Sequence, residues 1–339
     1  MAVLRRVLGA GQEDQVVDYG MRVAITGATG VVGGAVARHL LDAGHEVVAV
    51  ARDPTRLPKD LKPWRGDILD EAGLGQAFAG AEVVFHVAGL NQMCGASSEE
   101  LHQANVVGTA NVARSSASAG VRRLVYTSSA SSIGEEEGTI ATEDSPHRGY
   151  FLSDYERSKF DGELAAFSAP PDLEVVAVLP SSVQGPGRST GSARLIIDLV
   201  NGRLPAVVDT RLSLVDIDDC ARGHLLAAGR GRPGRRYLLS GVTLPIRQAA
   251  AFLERALGRK LRLRVVPGWV ASAGAATVEF ASRAVGRRPR ICRAMARTLR
   301  HGHAYDGSRA TRELGLDYID PEVMLGRMVD WYRKEGLIR

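Results

Sequence analysis

The chain has 339 residues, 45% hydrophobic and 24% charged, with 43 Lys+Arg against 38 Asp+Glu for a formal charge of +5. That length holds one large domain or two intimate ones with a real core, and the composition excludes disordered and collagen-like chains. The basic excess is spread out and aromatics are only 5%, so no nucleic-acid partner is expected. Cys94, Cys220 and Cys292 are odd in number and far apart, with no CxxC pair. They argue against a disulfide scaffold and a cysteine zinc site, and for a reducing, cytoplasmic location.

Residues 1–20 read as an N-terminal extension, because the first regular pattern starts at Met21 and the opening residues lack a signal peptide's apolar run. From there short β-branched runs alternate with helical spacings. Strands are predicted at 23–25, 47–51, 83–87, 124–127 and 175–179. Helices are predicted at 35–42, 74–78, 101–117 and 155–167. This rhythm argues for a parallel sheet covered on both faces. Residues 180–192 are rich in Pro, Gly and Ser and read as a loop. Beyond it the pattern predicts helices at 193–200 and 218–228, and short strands at 205–208, 212–215 and 237–239. The expected fold is α/β, a Rossmann doubly wound parallel sheet with a smaller C-terminal α/β substrate region. Residues 21–185 form the dinucleotide-binding domain, with 212–240 returning to it. Residues 186–211 and 241–339 form the substrate region.

Thr26-Gly27-Ala28-Thr29-Gly30-Val31-Val32-Gly33 sits between the first strand and first helix. Its glycines permit a tight turn, close approach of a pyrophosphate and close helix–strand packing, and the helix start offers free N–H groups. Gly27, Thr29, Gly30, Val31, Val32 and Gly33 are therefore cofactor-binding candidates. The second strand ends in Ala51-Arg52-Asp53. A guanidinium there suits a 2′-phosphate, so NADP(H) is expected over NAD(H). Asp67 and Ile68 are placed at the adenine, and Val87, Ala88 and Gly89 under the cofactor.

Tyr155 and Lys159 lie four residues apart and so share a helix face. The ammonium can lower the phenol's pKa and bind ribose hydroxyls, and a tuned Tyr is a workable acid–base for a carbonyl/alcohol pair. Ser129, at the end of the fifth strand, can hydrogen-bond the substrate oxygen, with Ser128 as the fallback. Asn91, Met93, Ser129 and Gln184 are the substrate-contact candidates.

The glycine turn, Asp67, Val87-Ala88-Gly89, Asn105-Val106-Val107-Gly108-Thr109, the Thr127-Ser128-Ser129-Ala130 run and Tyr155…Lys159 resemble an extended short-chain dehydrogenase/reductase over residues 21–335. The resemblance implies a nicotinamide cofactor, a Ser129–Tyr155–Lys159 triad, Asn105 as a fourth family residue and a homodimer. Arg52-Asp53-Pro54 and the Pro180–Pro186 loop, with Pro180, Ser182 and Val183 beside the nicotinamide, resemble dihydroflavonol 4-reductase-like and 3β-hydroxysteroid dehydrogenase-like enzymes. Residues 195–206 and 218–226 resemble hopanoid-associated sugar epimerases. The implied activity is hydride transfer between nicotinamide and a ketone or secondary alcohol. The alternative is internal redox in a nucleotide-sugar epimerase or dehydratase.

No metal is expected. His301-Gly302-His303 lacks a partner carboxylate, Glu135-Glu136-Glu137 reads as a solvated turn, and His86 reads as a core histidine. The apolar stretch 265–281 is too short and interrupted to span a membrane. Its bland reading is a core-facing helix. The sharper one is weak peripheral contact with an anionic membrane.

Overall fold

The computed structural model describes residues 20–204 and 206–338. Most of the expected N-terminal extension, residues 1–19, and the start of the expected strand at 205 lie outside the described residues. Six strands come first: β1 (Arg22–Thr26), β2 (Glu46–Ala51), β3 (Lys62–Arg65), β4 (Val83–His86), β5 (Arg123–Thr127) and β6 (Glu174–Pro180). Between them run α1 (Val31–Asp42), α2 (Glu71–Phe78), α3 (Ser98–His102), α4 (Gly108–Ser118) and α5 (Asp154–Phe167). After β6 come β7 (Ser182–Gln184), α6 (Ser192–Val200), β8 (Val207–Val208), β9 (Arg211–Asp216), α7 (Ile217–Arg230) and β10 (Arg236–Leu239). The chain ends with β11 (Val242–Pro245), α8 (Ile246–Leu257), β12 (Val265–Val266), α9 (Gly268–Ala284), α10 (Arg293–His301) and α11 (Pro321–Lys334).

The central sheet has seven strands in the order β10-β6-β5-β4-β1-β2-β3, and every pair in it is parallel. Apart from Arg22, β1 is wholly buried, as is β4, which explains why these strands read as unbroken apolar runs. One face carries α1 and α7, whose Ala35, Leu40, Ala221 and Ala227 meet Ile25 and Val178. The other carries α2, α4 and α5, whose Leu74, Phe78, Val112 and Ala166 meet Val84 and Leu124. Strand order reverses between β1 and β4, and that crevice at the strand ends is where ligands bind in open α/β sheets.

Residues 212–215, expected in the returning segment, pair instead in a three-stranded sheet, β11-β9-β7. Only α7 and β10 return to the large sheet. A third core joins α6, α8 and α11 through Ile197, Leu253, Met328 and Tyr332. Helices α9 and α10 pack on each other. The core-facing reading of 265–281 is overturned: along α9 only Ala275 and Glu279 are buried.

Two distant cysteines also meet. Cys94 and Cys292, 198 residues apart, form a disulfide with a Cα–Cα separation of 5.7 Å. Spacing in sequence says nothing of distance in space once loops close. The cysteine argument for a reducing compartment thereby loses its premise.

Candidate active site

Gly27 turns the chain at φ 83°, and a Cβ on it would lie 2.5 Å from the Ala88 nitrogen. A Cβ on Gly33 would lie 2.2 Å from the Gly27 oxygen. Both positions therefore require glycine, because α1 and β4 approach the turn at backbone distance. Gly30 is the N-cap of α1 and brings no side-chain cap, so the first amides of the helix have no partner of their own. Thr29 and Gly30 are exposed and Val31 and Val32 half-buried. This open ring of backbone donors fits a dinucleotide's pyrophosphate.

Behind the turn a buried chain of bonds crosses three elements. Thr109 Oγ1 donates to the Asn105 carbonyl (2.7 Å), so it accepts from His86 Nε2 (3.0 Å), and His86 Nδ1 accepts from Thr26 Oγ1 (2.7 Å). Burial first, and the Lys159 charge second, push His86 down to about 3. It is a neutral core histidine with both nitrogens satisfied.

At the end of β2, Asp53 caps the following turn, accepting from the amide and hydroxyl of Thr55 at 3.2 and 2.6 Å. Arg52 is exposed, and no hydrogen bond or ion pair engages it among the described residues. Arg56 and Arg65 add positive charge around Asp53, a cluster that reading the strand end alone missed. Asp67 accepts from the Leu69 amide at 3.1 Å, and the Ile68 carbonyl accepts from Asn111. Val87 and Ala88 are half-buried and Gly89 is exposed. A Cβ on Gly89 would sit 2.9 Å from Asn105 Oδ1 and 3.8 Å from Lys159 Nζ.

Helix α5 begins at the Ser153 cap, whose hydroxyl accepts from the Glu156 amide. Its first turns set Tyr155 and Lys159 against the end of β5. Ser129 stands near enough to the Tyr155 phenol to lower its pKa, and its Oγ lies 2.9 Å from Ser131 Oγ. Lys159 Nζ donates to the Thr127 carbonyl at 2.8 Å, and burial lowers its pKa to about 8. Ser128 is buried and donates to Glu163 at 2.5 Å, so the fallback serine is spent elsewhere.

One electrostatic expectation changes. Burial dominates at Tyr155 and raises its pKa, opposed by the nearby Ser129 hydroxyl and by Arg188 rather than by Lys159. Arg188 went unnoticed in sequence. It is held half-buried, its Nε is buried without a partner, and the Tyr155 and Tyr332 phenols act on it. The signal available was a lone guanidinium directly after Gly185-Pro186-Gly187.

Asn105 is buried and its side chain is fully engaged. It accepts from the Leu90 amide at 2.7 Å and donates to the Leu90 carbonyl and to Ser158. Its π-helical turn, Gln103–Val107, clamps the loop after β4 to α5. Pro180, at the end of β6, and Val183, in β7, are both buried. Ser182 donates to Ser192. Gln184, expected at the substrate, is fully buried and its amide nitrogen is spent on Ser182 and Ser192. Asn91 is exposed and Met93 half-buried beside Cys94, on the loop that the disulfide ties down.

The premise behind excluding a metal also fails. Glu135 is 1% exposed rather than solvated, and it is the missing carboxylate. Its Oε1 lies 2.5 Å from His303 Nδ1 and 3.9 Å from His301 Nε2. Tyr305 completes the group at 3.0 Å from His303. Burial would raise the Glu135 pKa, yet the His303 bond and the neighbouring histidines hold it below the usual value. Potential ligand atoms of Glu135, His301 and His303 lie within 4.8 Å of one another. Glu135 Oε1 and His303 Nδ1 bond each other, while Glu135 Oε2 and His303 Nε2 are buried without a partner among the described residues.

Comparison with known proteins places this geometry. A Synechocystis protein named after dihydroflavonol 4-reductase is 32% identical over 93% of this chain and 95% of its own. Sterol demethylase protein B of Methylococcus capsulatus is 31% identical over 94% of this chain and all of its own. Among solved structures, that of gox2253 superposes with a TM-score of 0.81 at 28% identity, covering 94% of this chain and 99% of that one. The NAD complex of MoeE5 with UDP-glucuronic acid, at 24% identity and TM-score 0.73, shares the fold. With residues 23–240 matching its family model, the chain belongs to the NAD dependent epimerase/dehydratase family, the extended short-chain dehydrogenase/reductases.

Proposed function

We propose that the protein is an NADP-preferring oxidoreductase that interconverts a ketone and a secondary alcohol, with Tyr155 as the acid–base. The observation that carries this reading is the convergence of Ser129, Tyr155 and Lys159 at the end of β5, together with an unpaired Arg52 at the end of β2. A dinucleotide held on the Gly27–Gly33 turn would supply or accept the hydride at the substrate carbon. The chain's own groups handle the proton and the geometry. Ser129 donates to the substrate oxygen. Burial keeps the Tyr155 phenol protonated near neutrality, the state that gives a proton to a carbonyl oxygen as it gains negative charge. Lys159 Nζ lies beside Gly89, where it would hold ribose hydroxyls of a nicotinamide cofactor, while the Thr127 carbonyl fixes its direction. Asn105 acts as a positioning residue, holding the loop after β4.

The relatives named after reductases and a 3-beta-hydroxysteroid dehydrogenase, the latter 29% identical over 260 residues, support a net redox reaction on a lipophilic ketone. A second reading, internal redox on a nucleotide sugar, draws on the Streptomyces lividans UDP-glucose 4-epimerase, 29% identical over 84% of this chain. Calorimetric titration of NADP(H) and NAD(H), followed by ketone and nucleotide-sugar panels, separates the two. Tighter NADPH binding with stoichiometric oxidation on a ketone sustains the reductase. Conversion of a nucleotide sugar without net cofactor change replaces it with the epimerase.

A further inference from the structure

We propose that α9 is a docking surface for the headgroup region of an anionic phospholipid membrane. Its exposed side holds Trp269, Val270, Val278 and Phe280, with Val285 just after it, and apart from Arg283 the exposed positions between them are Ala, Gly or Thr. Trp269 and Phe280 are 73% and 77% exposed, and their spacing of eleven residues puts both on one side of a helix. The opposite side anchors the helix. It buries Ala275 and Glu279, and Glu279 pairs with Arg283 and Arg293. So large a run of outward apolar side chains on one helix marks an interaction surface. An indole and a phenyl ring beside cations suit the boundary between acyl chains and headgroups.

The flanks say what covers it. Arg262 and Arg264 precede the helix and Arg287 and Arg290 follow it, all exposed. None of their side chains forms an ion pair or hydrogen bond among the described residues. A two-fold contact with a second copy would set like charges against each other, whereas lipid phosphates complement them.

The segment that follows α9 also reaches the loop after β4. The disulfide joins the start of α10 to the loop after β4. Arg288 pairs with Glu100 at 2.9 Å and lies against Gly95. These contacts tie the segment after α9 to the loop carrying Asn91 and Met93. This inference rests on the surface alone and stands whatever reaction the site performs.

The test is flotation of the full chain with phosphatidylcholine vesicles and with mixed phosphatidylcholine–phosphatidylglycerol vesicles. The wild type should float with the mixed vesicles and be released by high salt. A W269S/F280S variant and an R287Q/R290Q variant should each lower that partitioning by roughly tenfold or more, with unchanged melting temperature. Wild-type protein left unbound by the mixed vesicles overturns the proposal. So does an unchanged partition of W269S/F280S. A wild-type dimer by light scattering that W269S/F280S converts to monomer, without lipid binding by either, also overturns it and assigns the face to a second copy.

Discussion

The region from β1 to β6 and the α9–α10 pair use apolar residues in opposite ways. In the first, Val23, Ala24, Ile25, Val83, Val84 and Phe85 are completely buried, and the charged groups that remain inside each meet a partner, as Lys159 meets Thr127. In the second, the largest apolar side chains face outward, and the carboxylate of Glu279 is the part turned inward. Both are helical or strand-like by local pattern. What separates them is which side the neighbouring elements cover. The sheet offers two faces to its helices, while α9 has a partner on one side only. An apolar residue thus means core in one region and surface in the other, and the two should answer differently to substitution.

The largest expected effect is in the first region. Tyr155→Phe should lower turnover by roughly 10²–10⁴-fold while cofactor affinity by calorimetry changes little, since in the proposed mechanism the phenol acts on the substrate oxygen. A variant with full turnover would remove Tyr155 from the mechanism. Next comes Arg52→Gln. Loss of a charge-assisted phosphate contact should lower NADP(H) affinity by about 10–100-fold and leave NAD(H) nearly unchanged. Equal losses for both cofactors would return the ribose to Asp53.

Acid should then expose the buried histidines. His86 and His224 are pushed down to about 3 and about 4, burial being the main cause in each. An unfolded chain takes up protons at both near pH 6.5, and the folded chain does not. The stability they contribute is therefore complete above about pH 6.5 and declines as pH falls toward 4, by on the order of 1 kcal/mol per pH unit for each histidine. Urea unfolding in steps from neutral pH downward reads the slope, and His224→Gln should flatten it. A profile indifferent to that substitution would show that His224 titrates alike in both states.

The smallest effect belongs to α9. Trp269→Ser and Phe280→Ser remove side chains that the fold does not bury, so each should change folding stability by less than about 0.5 kcal/mol. A loss of core size for either would show that this face is covered within the chain and would break the comparison.

The fold was legible because its signals are local. Alternation of β-branched runs with helical spacing, the glycines at 27, 30 and 33, and the four-residue step from Tyr155 to Lys159 each depend on one or two elements. The site was legible to the same extent. Ser129, Tyr155 and Lys159 come together because β5 and α5 are neighbours in the sheet's ordinary right-handed winding. Arg188 was not legible, because its importance lies in facing Tyr155 from a loop with no regular period. Gln184 looked available on its loop, yet folding closed it against Ser192.

Residue pattern by itself determined the parallel sheet, the tight glycine turn before α1 and the shared helix face of Tyr155 and Lys159, because periodicity and glycine chemistry act over a few residues. Tertiary structure alone decided that Cys94 meets Cys292, that Glu135 meets His303, and that the apolar side of α9 faces out. Each of these depends on contacts across more than a hundred residues or on the absence of a covering element. No local spacing encodes which distant surface will arrive, or whether any will.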